Sequence, residues 1–268
     1  MPHSQIGVFD SGIGGLTVLR EVARAFPNEN FLYFGDTARL PYGTKSPDTI
    51  RAYSEQIMDR LVRKKVKAII IACNTASSQV SETSWSGIPV YNVIEPGAFT
   101  AVKASKSKSI GVLGTRATIQ SGSYLKAIQS LEPSARVFSQ SCPMFVPLAE
   151  EGWLDDPVTD AVVARYLEPV LKNKVDAIVL GCTHYPLLKE AIAKVSGKSV
   201  ALIDSGKAIV DFLEIDMRSG RIARNPGSKR TIKIEMSDLS IHTEALILKI
   251  LAGHEIESIH KFDITSNE

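Results

Sequence analysis

The sequence predicts an α/β protein of two similar parallel-sheet α/β domains, related by pseudo-two-fold symmetry, with the functional site in the cleft between them. Three observations predict it. Ala68 to Ser77 reads AIIIACNTAS, a short unbroken apolar run that ends in a cysteine, an amide and hydroxyls. Such runs are buried central strands of parallel sheets, and the polar cluster falls where strand gives way to helix. Ala177 to Leu187 (AIVLGCTHYPL) repeats the pattern, with Cys182 placed 109 residues after Cys73. Two further pairs follow in the same order: IGVFDSG against IGVLGTR at an offset of 104, and IPVYNVIEPG against SVALIDSG at 109, the latter aligning Glu95 with Asp204. Repetition on this scale points to duplicated halves rather than a solenoid.

The 268 residues suffice for one large or two small α/β domains. With 44% hydrophobic and 22% charged residues, the chain has the balance of an ordinary globular protein. A net charge of +2, with scattered lysines, predicts no nucleic-acid partner and no membrane surface. The start MPHSQIGVFDSG lacks the pattern of a signal peptide, and no apolar run reaches the ~20 residues of a membrane span. Three cysteines without CxxC spacing suggest neither a disulfide framework nor a metal site. A cytoplasmic enzyme with free thiols and no metal is the expectation.

In chain order, Ile6–Phe9 is a strand, Asp10-Ser11-Gly12-Ile13-Gly14-Gly15 a turn, and Leu16–Ala25 a helix that stops before Pro27. Asn30–Phe34 is the next strand, closed by Gly35-Asp36. The glycine turn approaches a dinucleotide fingerprint. However, its third small position falls on Thr17, and Asp10 sits where a pyrophosphate would be repelled. Glycines serving a tight turn fit better. Residues 37–48 form a loop in which Pro41-Tyr42-Gly43 is either a pocket wall or a plain surface turn. Ser46-Pro47-Asp48 starts a helix running from about Thr49 to Lys65, which leads into the Cys73 strand. Cys73 then lies at a helix N-terminus, which favours a thiolate.

The first half closes near Gly97, and residues 110–113 open the second. Thr115 and Thr118 follow, suited to a small polar ligand or to capping a helix. Residues 139–153 are irregular by sequence; Cys142 lies there as a buried structural thiol, and Glu150 or Glu151 offers one carboxylate to a cleft. A helix from Asp155 to Lys174, interrupted or ended by Pro169, feeds the Cys182 strand. His184 beside a strand-end cysteine is a plausible proton partner. After Gly206 come a helix, a polar turn at Asn225 to Ser228, a strand (TIKIEM) and a last helix. This segment is expected to return and complete the first domain, so that residues 1–97 with 207–268 form one unit and 98–206 the other.

Two thiols facing each other across a cleft suit deprotonation of a carbon on one face and reprotonation on the other. The motifs DSGIGGLTVLRE, PYGTKS, ACNTAS, GVLGT, CPMFVPLAEEG and GCTHYPLL, covering residues 6 to about 213, together resemble glutamate racemases, within the cofactor-independent aspartate/glutamate racemase superfamily. The resemblance implies interconversion of L- and D-glutamate, supply of D-glutamate for peptidoglycan, and no cofactor. It implies Cys73 as the base for D-glutamate and Cys182 as the base for L-glutamate. Asp10 and His184 would assist their nearer cysteines, with Glu151 and Asp36 as secondary candidates. Substrate contacts would fall to Asp10, Ser11, Tyr42, Gly43, Asn74, Thr75, Thr115, Thr118, Thr183 and His184. The sequence shows no obvious arginine clamp. A homodimer is expected. The competing readings are a two-cysteine racemase acting on aspartate or another small amino acid, a non-catalytic amino-acid-binding protein, and a nucleotide-dependent oxidoreductase.

Overall fold

Among the described residues the alternating runs fold into eleven strands. They are β1 (Gln5–Asp10), β2 (Asn30–Gly35), β3 (Ala68–Ile71), β4 (Ser84–Trp85), β5 (Ile88–Asn92), β6 (Ser109–Gly114), β7 (Arg136–Ser141), β8 (Ala177–Gly181), β9 (Ala201–Asp204), β10 (Ile232–Met236) and β11 (Ser258–Lys261). The structure, a computed structural model, describes residues 4–227 and 230–262. Ser228 and the tail beyond Phe262 lie outside the described residues.

The strands form two sheets, ordered β11-β10-β2-β1-β3-β5-β4 and β7-β6-β8-β9. Every neighbour is parallel except the two-residue β4, which runs antiparallel to β5. The order β2-β1-β3-β5 recurs as β7-β6-β8-β9, so the duplication read from three strand pairs extends to a fourth, β2 with β7. The register also corrects one pairing. Ile69 pairs with Val90, and its counterpart Ile178 pairs with Leu202. The match for Asp204 is therefore Asn92, not Glu95. Both residues cap: Asn92 Oδ1 accepts from the Ile94 amide at 3.0 Å, and Asp204 Oδ1 accepts from the Gly206 amide at 2.8 Å.

Each sheet buries both faces, which is why its strands read as continuous apolar runs. Ile6, Val8, Ala68 and Ile70 face the helices Leu16–Ala25 and Ser205–Ser219. Phe9, Ile69 and Ile71 face the helix Pro47–Arg63 through Ile50, Ile57 and Leu61. In the second sheet Ile178 and Leu180 pack on the helix Pro157–Leu171, while Ile110, Val112 and Val179 pack on the helices Ile94–Ala104 and Ser123–Leu131. Each fully buried aliphatic side chain contributes about 1.5–3 kcal/mol relative to exposure.

The helix starts follow their caps. The Ser46 hydroxyl accepts from the Thr49 amide with Pro47 in the first turn, and the Asp156 carboxylate accepts from the Val158 amide. Pro169 sits inside the last turn of its helix, which continues to Leu171. Gly97 lies within the helix Ile94–Ala104, and the chain changes cores one turn earlier: Val93 packs with the first sheet, Ile94 with the second. Residues 139–153 are more regular than their prolines suggest, holding the end of β7 and the helix Phe145–Glu150. The returning chain adds β10 beside β2 and then β11, enlarging the first sheet.

Candidate active site

The strand ends of β1, β3, β6 and β8 converge on a cavity of about 340 Å³ whose wall includes Cys73 and Cys182. Volume and enclosure suit a small ligand.

On the first side, Cys73 caps the helix Asn74–Ser77, its sulfur accepting from the Ala76 amide at 3.4 Å. The thiol also lies 3.6 Å from the Ser11 hydroxyl. That helix is a single turn, so its dipole is small. Burial, reinforced by the Asp10 carboxylate, pushes the Cys73 thiol up to about 12, and the Ala76 and Ser11 hydrogen bonds offset only part of this. Desolvation therefore outweighs the helix end that the sequence read as favouring a thiolate at Cys73.

The second side is built differently. No α-helix follows β8 directly; a 3-10 turn, Tyr185–Leu188, comes first. Cys182 instead has His184, with Nδ1 3.9 Å from its sulfur. Nε2 of His184 stands 2.9 Å from Glu150 Oε1. Burial opposes charge on this ring, but the contacts with Cys182 and Glu150 prevail and push His184 up to about 10. The imidazolium is therefore the resting form at neutral pH. Glu151, the expected carboxylate, is exposed and caps the helix that Glu150 ends. Adjacent helical residues point about 100° apart, so only one of the two acids meets the cavity.

Asp10 is fully buried behind the wall and joins the two domains. Its Oδ2 accepts from the Gly12 amide at 2.9 Å, and its Oδ1 accepts from the Thr183 hydroxyl at 3.2 Å. Burial raises its carboxyl above the usual range, opposed by the His184 charge and by the Gly12 and Gly15 amides. Asp10 thus lies near both cysteines: its charge acts on Cys73, and it accepts a hydrogen bond from Thr183, next to Cys182.

The remaining predicted residues divide between wall and support. Ser11, Tyr42, Gly43, Asn74, Thr75, Thr115, Thr183 and His184 line the cavity. Thr118 stands behind it, closing a hydroxyl triangle with Thr75 at 3.2 Å and Thr115 at 2.9 Å. Asn74 Oδ1 accepts from the Tyr124 hydroxyl at 2.6 Å, while its buried Nδ2 has no partner among the described residues. An unpaired buried donor in a cavity wall is prepared for an acceptor such as a carboxylate. Arg116, exposed, also lines the cavity, so a guanidinium is present where none was expected. Asp36 does not reach the wall; it is buried and holds the Tyr42 hydroxyl. Cys142 is buried in the second core, its thiol 3.6 Å from the Gln140 carbonyl, as a structural thiol should be.

Symmetric thiols, a buried imidazolium and an unpaired amide can remove and return a proton at a carbon held between them. The family model described as Asp/Glu/hydantoin racemase matches residues 6–213. The chain belongs to this racemase family. It is 53% identical over 208 residues, 77% of each chain, to a glutamate racemase of Syntrophus aciditrophicus (strain SB). Among solved structures it resembles glutamate racemase isoform RacE1 from Bacillus anthracis, with a TM-score of 0.91, 35% identity and 98% of each chain covered. It matches equally a glutamate racemase from Francisella tularensis in complex with D-glutamate, with a TM-score of 0.91, 34% identity and 99% of each chain covered.

The glycine turn has a racemase-specific reason. A Cβ at Gly14 would fall inside contact distance of the Thr183 hydroxyl and the His184 ring. Gly14→Ala is expected to displace His184 and lower racemase kcat/KM by about tenfold or more, with far-UV circular dichroism unchanged. Unchanged kinetics would refute this role. The raised Cys73 thiol gives a second test on the free racemase. The thiolate fraction grows as pH approaches the pKa from below. Iodoacetamide incorporation at Cys73, followed by peptide mass, should therefore keep rising from pH 7 to 10. A plateau below pH 9 would contradict it.

Glu150, and not the Glu151 that the resemblance named, is the carboxylate that reaches the cavity wall and His184; the sequence had left either acid open. The helix phase of FVPLAEEG, with Phe145, Leu148 and Ala149 buried, is the signal that separates it from Glu151.

Proposed function

We propose that the protein interconverts L- and D-glutamate without an added cofactor, using Cys73 and Cys182 as the paired acid and base. The observation that carries this reading is the meeting of the two strand-end thiols, one from each sheet, in a single cavity wall. Cys73 takes the α-proton of D-glutamate and Cys182 that of L-glutamate; in each direction the opposite thiol supplies the returning proton.

The pocket's chemistry supports the assignment of a dicarboxylate amino acid. The Asn74 amide, the Thr75 and Thr115 hydroxyls and backbone N–H groups at the strand ends donate to carboxylates. The substrate ammonium brings positive charge beside Asp10 and Cys73, where burial otherwise disfavours the thiolate. Opposite charge at short range favours the thiolate. His184, held charged by Glu150, donates toward Cys182 and stabilises negative charge there.

The protein's place is cytoplasmic supply of D-glutamate to peptidoglycan synthesis, as a homodimer. No helix among the described residues is long and apolar enough to cross a membrane. The functional units are residues 1–97 with 207–268, and 98–206, each bringing one thiol. Circular dichroism of purified protein with D-glutamate alone tests the reading. Decay of the optical signal toward zero is expected. A flat trace from folded protein would reject glutamate, and exchange of the aspartate α-hydrogen in D₂O would then name the substrate.

A further inference from the structure

The chain beyond residue 213, outside the family match, meets the loop leading to Tyr42 just after β10, where Ser237 reaches Asp36 and the Asp238 amide donates to the Thr37 hydroxyl at 2.8 Å. Ser237 directly follows β10 and is buried. Its hydroxyl donates to Asp36 Oδ1 at 3.0 Å and accepts from the Ala38 amide at 2.9 Å. The other Asp36 oxygen accepts from Arg39 Nε at 2.6 Å and from the Tyr42 hydroxyl. Asp36 is itself tied to β1, its amide donating to the Asp10 carbonyl at 3.1 Å.

Both carboxylate oxygens are thus engaged, and every partner belongs to, or holds, the segment that carries Leu40, Pro41, Tyr42 and Gly43 into the cavity wall. Because its hydroxyl is spent on Asp36, Tyr42 presents its ring and backbone to the cavity. Arg39 closes the far side, stacking 3.9 Å over the Tyr53 ring and donating to Gln56 at 2.6 Å. Hydrogen bonds to a buried carboxylate are strong and directional. Losing one partner leaves the others misaligned rather than merely fewer.

We infer that Ser237 and Asp36 form a latch by which the returning C-terminal segment sets the position of the Tyr42-Gly43 substrate wall. Ser237 and Asp36 are positioning residues: they act on substrate through Tyr42. The kinetic part of this inference rests on glutamate being the substrate; the structural part does not.

The test compares wild type with Ser237→Ala, Ser237→Thr, Asp36→Asn, Tyr42→Phe and the Asp36→Asn/Tyr42→Phe double variant. For Ser237→Ala, KM for D-glutamate should rise about three- to tenfold while kcat stays within about twofold, since a displaced wall weakens ground-state and transition-state binding alike. Ser237→Thr keeps the hydroxyl and should restore KM. The double variant should match Asp36→Asn alone, because both changes break one network. Hydrogen–deuterium exchange on the same proteins reads the latch without any substrate. Amides of residues 37–44 should exchange faster in Ser237→Ala, with the strands of the second sheet unchanged. An unchanged KM with unchanged exchange, or additive kinetic effects in the double variant, would overturn the latch. Faster exchange in a wild-type background inactive on glutamate would reject the substrate and keep the latch.

Discussion

Cys182→Ser protein incubated with D-glutamate in D₂O should exchange the α-hydrogen yet accumulate almost no L-glutamate. Cys73 remains to take the proton and return a deuteron to the same face, while the opposite face has lost its acid. Serine is a much weaker acid and base than cysteine near neutral pH. Loss of general acid–base catalysis alone costs about 10²–10⁴-fold, and here no second group on that face replaces it. Racemisation should fall by about 10⁴-fold. Cys73→Ser should give the mirror result, with exchange confined to L-glutamate. Serine at position 73 retains an acceptor for the Ala76 amide, so the local fold survives. Proton NMR of the α-position, with chiral analysis of the product, reads both quantities. Exchange of both enantiomers by either variant would refute the division of labour.

His184→Asn should lower kcat/KM by about 10²-fold. The loss must be equal in both directions, because the enantiomers have equal free energy and the ratio of the two kcat/KM values equals their equilibrium constant. The affected side is therefore visible only in the proton-transfer step. With α-deuterated substrates, the primary isotope effect should increase for L-glutamate, whose proton goes to Cys182, and change little for D-glutamate. Glu150→Gln should give a weaker version, about tenfold, since Glu150 acts on the ring and not on substrate. The folded His184 is raised to about 10, so its positive charge persists through neutral pH and is lost as pH rises through that value. Removing the Glu150 partner should move that loss to lower pH. Equal isotope effects for both enantiomers in His184→Asn would refute its assignment to Cys182.

Much of the site was legible because its signals are local. Cys73 and Cys182 each end an apolar run that can only be a buried strand, and parallel sheets bring strand ends together. Thr115 and Ser46 carried their capping roles in their spacing. The failures share a cause: they depend on groups distant in sequence. Glu150 and Glu151 differ only in which way a helix turns against its core. The state of Cys73 depends on its burial and on Asp10, which the fold brings beside it from another strand. The offset of the last strand pair depended on loop length, and only the register placed Asn92 opposite Asp204.

By itself the sequence determined the strand–helix alternation, the duplication, the placing of both thiols at strand ends and the resemblance to a racemase. All of these rest on side-chain patterns within a few residues, set by burial and backbone geometry. The tertiary structure alone decided that Asp10 bonds Thr183 across 173 residues, that Gly14 must leave room for His184, and that Ser237 holds Asp36 from 201 residues away. Such contacts are set by how two cores pack and where the returning chain docks, which no local pattern encodes.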